Sequence, residues 1–321
     1  MNYEEFITAV KHELEYSLPQ GYTVHLTQIL KNNNITYDGI NIFYEGACYS
    51  PNIYLNPYYD DYRQGVSMDE ITENIKELFV RHKNDLKLPL PDFGTFHPCF
   101  QEKIFFRLIN AGKNKALLKT VPHIPFLDLA ITFHLLVTES AGGIGSIRIT
   151  HELCKSWKLS TKQLLSYARK NTPKLFPATF HDMEYVLHDL LMKDLERLFL
   201  VHDSSEPLPE SSYEDLIRRL LPKSESRDFM YILSNTSGIN GATSLLYKDE
   251  LKTIARKIGE DFYILPSSVH EVILIPVSLA PSHEELSRMV QEVNETQVPD
   301  EDILSDRAYY YRVEDDMICM E

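Results

Sequence analysis

The sequence is poor in cysteine, and its four cysteines, Cys48, Cys99, Cys154 and Cys319, are far apart. None of them forms a C-x-x-C motif, and their spacing indicates neither a zinc site nor an iron–sulfur site. We interpret all four as buried or incidental thiols of a protein in a reducing cytosol. The sequence therefore predicts no metal and no cofactor.

Long apolar runs are also missing. No window approaches the roughly 18 uninterrupted apolar residues that a membrane helix needs. The N-terminal stretch MNYEEFITAVKHELEYSL is amphipathic and acidic, whereas a signal peptide begins basic and continues apolar. We therefore expect neither a signal peptide nor a membrane span, and we predict a cytoplasmic protein.

Basic residues are too few to balance the acidic ones. The chain has 32 Lys and Arg against 47 Asp and Glu, a net charge of −15. Within 282–321 alone, twelve Asp and Glu face three Arg, which gives a net charge of −9. This balance argues against nucleic acid as a partner, because phosphate contacts need clustered Lys and Arg. It permits a basic protein partner or mimicry of nucleic acid, but a solvated acidic tail is the commoner explanation of such a charge balance.

Complete catalytic motifs are absent as well. The run GGIGS, which begins at Gly142, resembles a phosphate-binding loop but lacks its lysine, so we interpret Gly142 and Gly143 as a hairpin turn. This turn favours a long strand over a buried helix for the apolar run 126–137, which its period alone does not decide. His151 and Glu152 begin an H-E-x-x-H pattern, but position 155 is lysine. The sequence also contains no nucleophile elbow and no dinucleotide fingerprint. These absences favour a protein that is not an enzyme.

Helical and strand-like patterns together predict an α+β fold with mixed, largely antiparallel sheets and flanking helices. The segment HDSSEPLPESS at 202–212 is typical of a linker, because it is polar and contains two prolines. It would separate an N-terminal α+β region, 1–201, from a C-terminal unit, 213–321. A secondary boundary is predicted at 86–98, where prolines also cluster.

The C-terminal unit has the most readable pattern. Apolar runs predict strands from Met230, at 242–247, at 262–265 and at 270–277. Helices are expected at 249–258, ended by Gly259, and after the capping box that begins at Ser282. The order is β-β-α-β-β-α, and the crossover through the first helix should be parallel and right-handed.

That topology brings four polar side chains to one edge of the sheet, where helix amides point outward and favour an anion. The four are Lys248, Ser267, Ser268 and His270. The loop 235–240 is expected at the opposite edge. A structural alternative is that Asp249 and Glu250, at the start of the same helix, satisfy its amides themselves and repel a phosphate.

Several phrases of the sequence carry a resemblance to a known family. They are YILSN, INGATSLLY, LPSSVHEVILIP and LSDRAYYY, with SPNIYLNPYYDDY and VPHIPFLDLAITFHLLV upstream. Together they resemble the signature blocks of the bacterial family catalogued as domain of unknown function 5688. The resemblance implies an intracellular protein, largely of anaerobic Gram-positive bacteria, and supplies no catalytic residue, cofactor or ligand.

Three hypotheses for function follow. The first is a binding or regulatory module without catalysis. The second is an enzyme or sensor for a small anionic, phosphorylated ligand at the edge that carries Ser268 and His270. The third is an interaction protein whose acidic surface binds a basic protein partner.

Overall fold

The computed structural model describes residues 1–45, 50–85, 92–140, 143–201, 217 and 230–320. The chain divides into two compact units, Met1–Phe93 and Gly94–Glu321. This division falls inside the secondary boundary predicted at 86–98. The linker predicted at 202–212 lies outside the described residues, and strands from both sides of it pair in one sheet.

The first unit packs helices on a small sheet. Its elements are α1 (Tyr3–Ser17), β1 (Tyr22–Leu30), β2 (Thr36–Tyr44), β3 (Ile53–Tyr54), α2 (Asn56–Arg63) and α3 (Met68–Asp85). The strands pair antiparallel in the order β1-β2-β3. A capping box of Asn2 and Glu5 starts α1, which buries one apolar stripe against the sheet and α3.

The second unit begins with a four-stranded sheet. Its elements are a 3₁₀ helix (Pro98–Lys103), β4 (Ile104–Asn110), α4 (Lys115–Leu118), β5 (His123–Phe126), β6 (Leu129–Ser140), β7 (Gly143–Arg148), α5 (His151–Trp157) and α6 (Thr161–Leu175). The long strand β6 pairs antiparallel with β4, β5 and β7. The apolar run before Gly142 is therefore a strand, as its hairpin signal predicted.

A six-stranded sheet completes this unit. Its elements are β8 (Ala178–Asp182), α7 (Met183–Val201), β9 (Tyr231–Asn235), a 3₁₀ helix (Gly241–Leu246), α8 (Glu250–Ile258), β10 (Phe262–Leu265), β11 (Val272–Pro276), a 3₁₀ turn (Val277–Leu279), α9 (His283–Thr296), β12 (Tyr309–Arg312) and β13 (Met317–Cys319). The strand order is β13-β12-β10-β11-β9-β8, with antiparallel pairs throughout. The α+β class is as predicted. None of the helices in these ranges is long and apolar enough to cross a bilayer.

The strand predicted at 242–247 is wrong, because this segment is the 3₁₀ helix Gly241–Leu246. Gly241 lies so close to Ser234 and His270 that a Cβ there would overlap both, so the chain turns tightly at this point. The Ser244 hydroxyl then donates to the Ser234 carbonyl at 2.7 Å and fixes the helix against β9. The parallel crossover is wrong for the same reason, since it needed a strand here.

Hydrogen bonds made by side chains join the two sheets of the second unit. The Asp128 carboxylate accepts from the Ser305 hydroxyl at 2.7 Å and from the Tyr309 hydroxyl at 2.5 Å. The Asn110 amide donates to the Leu304 carbonyl at 2.9 Å. Tyr309 is fully buried, and this burial together with the Asp128 carboxylate raises the pKa of its phenol. These bonds fix the segment 299–306, which carries much of the site described next.

Candidate functional site

The loop after β9 and the turn before β11 lie at the same edge of the six-stranded sheet, namely at the strand ends where β9 finishes and β11 begins. Leu233 pairs with Val272 in antiparallel register, so the end of one strand meets the start of the other. The prediction that loop 235–240 lies at the opposite edge is therefore wrong. It depended on the strand at 242–247, which would have carried the chain across the sheet.

His270 is the centre of this edge. Its Nε2 lies 3.1 Å from Asp302 Oδ1, and the backbone N–H of Asn240 donates to its Nδ1 at 3.3 Å. Because an amide can only donate, Nδ1 is the acceptor and Nε2 carries the proton donated to Asp302. The hydrogen-bonded Asp302 carboxylate raises the pKa of His270 above its ordinary value, against the opposing effect of burial.

The remaining predicted site residues separate into two places. Ser268 is 6% exposed, and its hydroxyl oxygen accepts the backbone N–H of His270 at 3.0 Å. Ser267 contributes its carbonyl, which accepts from Leu304 N at 3.1 Å. The Lys248 side chain is 93% exposed and lies 4.0 Å from Asp249.

Lys248 follows the far end of the 3₁₀ helix whose first residue touches His270. A six-residue 3₁₀ helix is roughly 12 Å long, so that helix separates the two. No described contact joins Lys248 to Ser267, Ser268 or His270. Asp249, which the sequence offered as a helix cap, makes no capping hydrogen bond with its side chain. The structure therefore brings Ser268 and His270 together and leaves Lys248 apart.

Two carboxylates act on the ring of His270, which matters for any ligand. Asp302 is its hydrogen-bond partner, and Glu271 contributes to the electrostatics of the same ring. Burial raises the pKa of Glu271 itself. The name His270 cluster is used below for Ser268, His270, Glu271, Asp302 and the backbone N–H of Asn240. In the neutral ring of its histidine, both nitrogens are hydrogen-bonded within the fold.

A second group of charges lies on one face of the four-stranded sheet. Arg107 on β4 and His134 on β6 share this face with Arg148 on β7, because these strands alternate their side chains in register. Arg107 donates to the Ser146 hydroxyl at 3.0 Å, whereas its buried Nε has no partner among the described residues. Burial and then Arg148 lower the pKa of Arg107 to about 10.

His134 on this face is buried, and its pKa is lowered well below the ordinary value by burial and then by the two arginines. It is therefore a neutral histidine near neutral pH. Sequence reasoning did not single out either residue. One signal was present for Arg107, which interrupts the otherwise apolar strand IFFRLI.

An acidic pocket of about 580 Å³ lies between α9, the segment 299–306 and the start of α4. Three carboxylates line it, Glu295, Asp300 and Asp306, against one cation, Lys113. Asn294 also lines it, is 4% exposed, and has a buried Oδ1 without a hydrogen-bond partner in the described part of the chain. Sequence reasoning treated these acidic residues as a solvated tail, since only folding reveals the concavity.

The fold and these sites describe an α+β protein with antiparallel sheets, a histidine whose ring is fixed within the fold and an acidic pocket. The chain belongs to the family described as a family of unknown function (DUF5688), whose model matches residues 3–313. This match confirms the resemblance seen in the sequence. No curated protein and no solved structure matches the chain.

Proposed function

We propose that this protein is a non-catalytic binding module of the cytoplasm that recognises a positively charged partner. The observation that carries the proposal is the state of His270. A general base needs a ring nitrogen within reach of a substrate proton. In His270, Nε2 is hydrogen-bonded to Asp302 and Nδ1 to the backbone N–H of Asn240. The Ser268 oxygen beside it accepts a backbone N–H and contacts no base nitrogen, so a serine and histidine pair for nucleophilic attack is not assembled.

Charge supports a basic partner. The segment 282–321 carries a net charge of −9, and its residues form most of the acidic pocket. Charge complementarity of this kind speeds association and selects partners of opposite sign. We propose a basic protein as that partner.

The test is native mass spectrometry of the protein purified from its own cells. Wild type should retain a basic protein, and the variant Glu295→Gln with Asp306→Asn should lose it. Glu292→Gln removes one charge from the same helix outside the pocket and should retain the partner. Retention that does not depend on Glu295 and Asp306, or conversion of a small molecule by wild type but not by His270→Gln, would contradict the proposal.

A small anionic ligand at the turn 267–270 is the second candidate. The raised pKa of His270 favours it, because a larger share of this ring is cationic near neutral pH. Asp302 and Glu271 oppose it, since they place negative charge where the anion would lie. Thermal shift with inorganic phosphate and phosphorylated sugars decides the matter: stabilisation of wild type that Ser268→Ala and His270→Gln both abolish would favour the anion.

A further inference from the structure

The acidic pocket has a feature that electrostatics alone does not explain. Asn294 sits in its wall with its amide nitrogen used twice, donating to the Ser305 carbonyl at 2.9 Å and to Asp306 Oδ1 at 2.8 Å. These two acceptors fix the orientation of the amide, because a flipped amide would place its oxygen against both of them. The Oδ1 atom is left buried and unpartnered within the described residues. A buried acceptor of this kind costs free energy until a donor reaches it.

We propose that this pocket binds a primary alkylammonium group; the proposal deepens the proposed function by naming the chemistry of the cation. The ligand must bring donors, because the wall contains the carboxylates of Glu295 and Asp306 and the Oδ1 of Asn294, which has no partner within the described residues. An ammonium carries three N–H donors that point in different directions. It therefore suits acceptors that come from both α9 and the segment 299–306. A guanidinium presents its donors in one plane and suits a single facing carboxylate instead.

The size of the pocket fits an organic cation. A volume of about 580 Å³ lies in the range of small-molecule sites and far exceeds that of a bare ion. An alkyl chain of several carbons can lie along Val298 and Ile303, which also line the pocket. The ligand is therefore an ammonium on an alkyl chain, as found in a free polyamine or in a lysine side chain.

Lys113 makes the proposal sharper. It is the cation of the pocket wall. It would repel an ammonium ligand and attract the carboxylate of an amino acid. Replacing it with methionine should therefore tighten an amine by about two- to threefold, the scale of an exposed charge interaction. Weaker binding of 1,4-diaminobutane after this change would contradict the proposal, because Lys113 would then not repel the bound cation.

The experiment is calorimetric titration of the full chain with 1,4-diaminobutane at low ionic strength. Wild type should bind, and the variant Glu295→Gln with Asp306→Asn should bind about tenfold more weakly, since two charge contacts are lost. Single Glu295→Gln changes an exposed side chain and serves if the double variant does not fold. Glu292→Gln should leave the affinity within about twofold of wild type.

Titration with an acetylated, amidated lysine peptide and with Mg²⁺ separates the sources. Binding of the diamine alone identifies a free polyamine, and binding of the peptide as well identifies a lysine side chain; both support the pocket. Equal affinity of wild type and Glu295→Gln with Asp306→Asn, or preference for Mg²⁺ over either amine, would overturn it. If the diamine binds while no protein is retained from lysate, the amine-binding pocket is supported and the proposed protein partner is contradicted. If the variant Glu295→Gln with Asp306→Asn still retains a protein partner, the binding module is supported and the role of the pocket is contradicted.

Discussion

The His270 cluster and the acidic pocket use the same segment, 299–306, in opposite ways. In the cluster, Asp302 is hydrogen-bonded to His270, and nearby Ser305 is bonded to Asp128. In the pocket, Glu295 of α9 and Asp306 face a concavity, and the Oδ1 of Asn294 in its wall has no partner among the described residues. Polar groups that satisfy one another stabilise the fold, whereas polar groups left short of donors are available to a ligand. The contacts of the first region stabilise the architecture, and binding is what we propose for the second.

The largest loss of stability is expected where the hydrogen-bonded polar groups are most deeply buried. Asp128→Ala leaves the buried hydroxyls of Tyr309 and Ser305 without their acceptor, and we expect a loss of about 2–3 kcal/mol in the free energy of unfolding. Urea unfolding followed by circular dichroism measures it. Asp128→Asn keeps one acceptor oxygen and should lose less. Equal stability of wild type and Asp128→Ala would show that the satisfied region does not hold the sheets together.

Arg107 tests the comparison from the other sheet, because it is a half-buried charge whose buried Nε has no partner among the described residues. Arg107→Met removes that charge beside Phe105 and should raise the free energy of unfolding by about 1 kcal/mol. Arg169→Met, an exposed substitution on α6, is the control and should change little. A clear loss of stability in Arg107→Met alone would mean that the Ser146 and Phe105 contacts of Arg107 exceed the cost of burying it.

The two histidines should respond to pH in opposite directions. The pKa of His270 is raised in the folded state, so its stabilisation is complete below about pH 6.5 and is lost as the pH rises through the folded value. The pKa of His134 is lowered, so it destabilises the fold increasingly as the pH falls below about 6.5. Unfolding free energies measured from pH 5 to 8 check both.

In that series, His270→Gln should flatten the decline above pH 6.5, and His134→Gln should flatten the decline below it. Asp302, Glu271 and the Gly238 carbonyl all face His270 and favour its charged form, so each supports the same sign. A wild-type profile that His270→Gln leaves unchanged above pH 6.5 would contradict the bond between His270 and Asp302.

The smallest effect is expected in the pocket. Glu295→Gln removes one of several like charges that face each other there, and stability should rise by a few tenths of a kcal/mol. The gain should shrink in 0.5 M salt, since screening weakens exposed charge repulsion. A loss comparable to that of Asp128→Ala would mean that the pocket carboxylates hold the fold and are not free for a ligand.

The sequence predicted correctly those helices and strands whose structure is decided by residues close together in the chain. The capping box at Ser282 and Glu285 starts α9, and the strand before Gly142 forms β6. The strand predicted for the segment GATSLL was wrong, because so short a run has no distinctive period. Its 3₁₀ form is fixed by tertiary contacts of Gly241 and Ser244 with β9. Local propensity was overridden there by packing.

The site was predictable only in part, because its partners are distant in sequence. Ser268 and His270 could be found together, since they are two residues apart and share a turn. Asp302 lies 32 residues from His270, and nothing in the acidic tail marked it as different from Asp300. The geometry of Asn294 follows from contacts with the segment 299–306 that only the folded chain reveals.

The central claim is that ligands enter the acidic pocket while the His270 cluster stays closed. Chemical-shift mapping by nuclear magnetic resonance with 1,4-diaminobutane tests it most directly, with the side-chain amide of Asn294 and the ring of His270 as reporters. The account predicts that the Asn294 amide shifts with saturation and that the His270 ring keeps its neutral Nε2–H tautomer and its shifts at high pH. Saturable shifts at His270 and Ser268, with Asn294 unchanged, would contradict it.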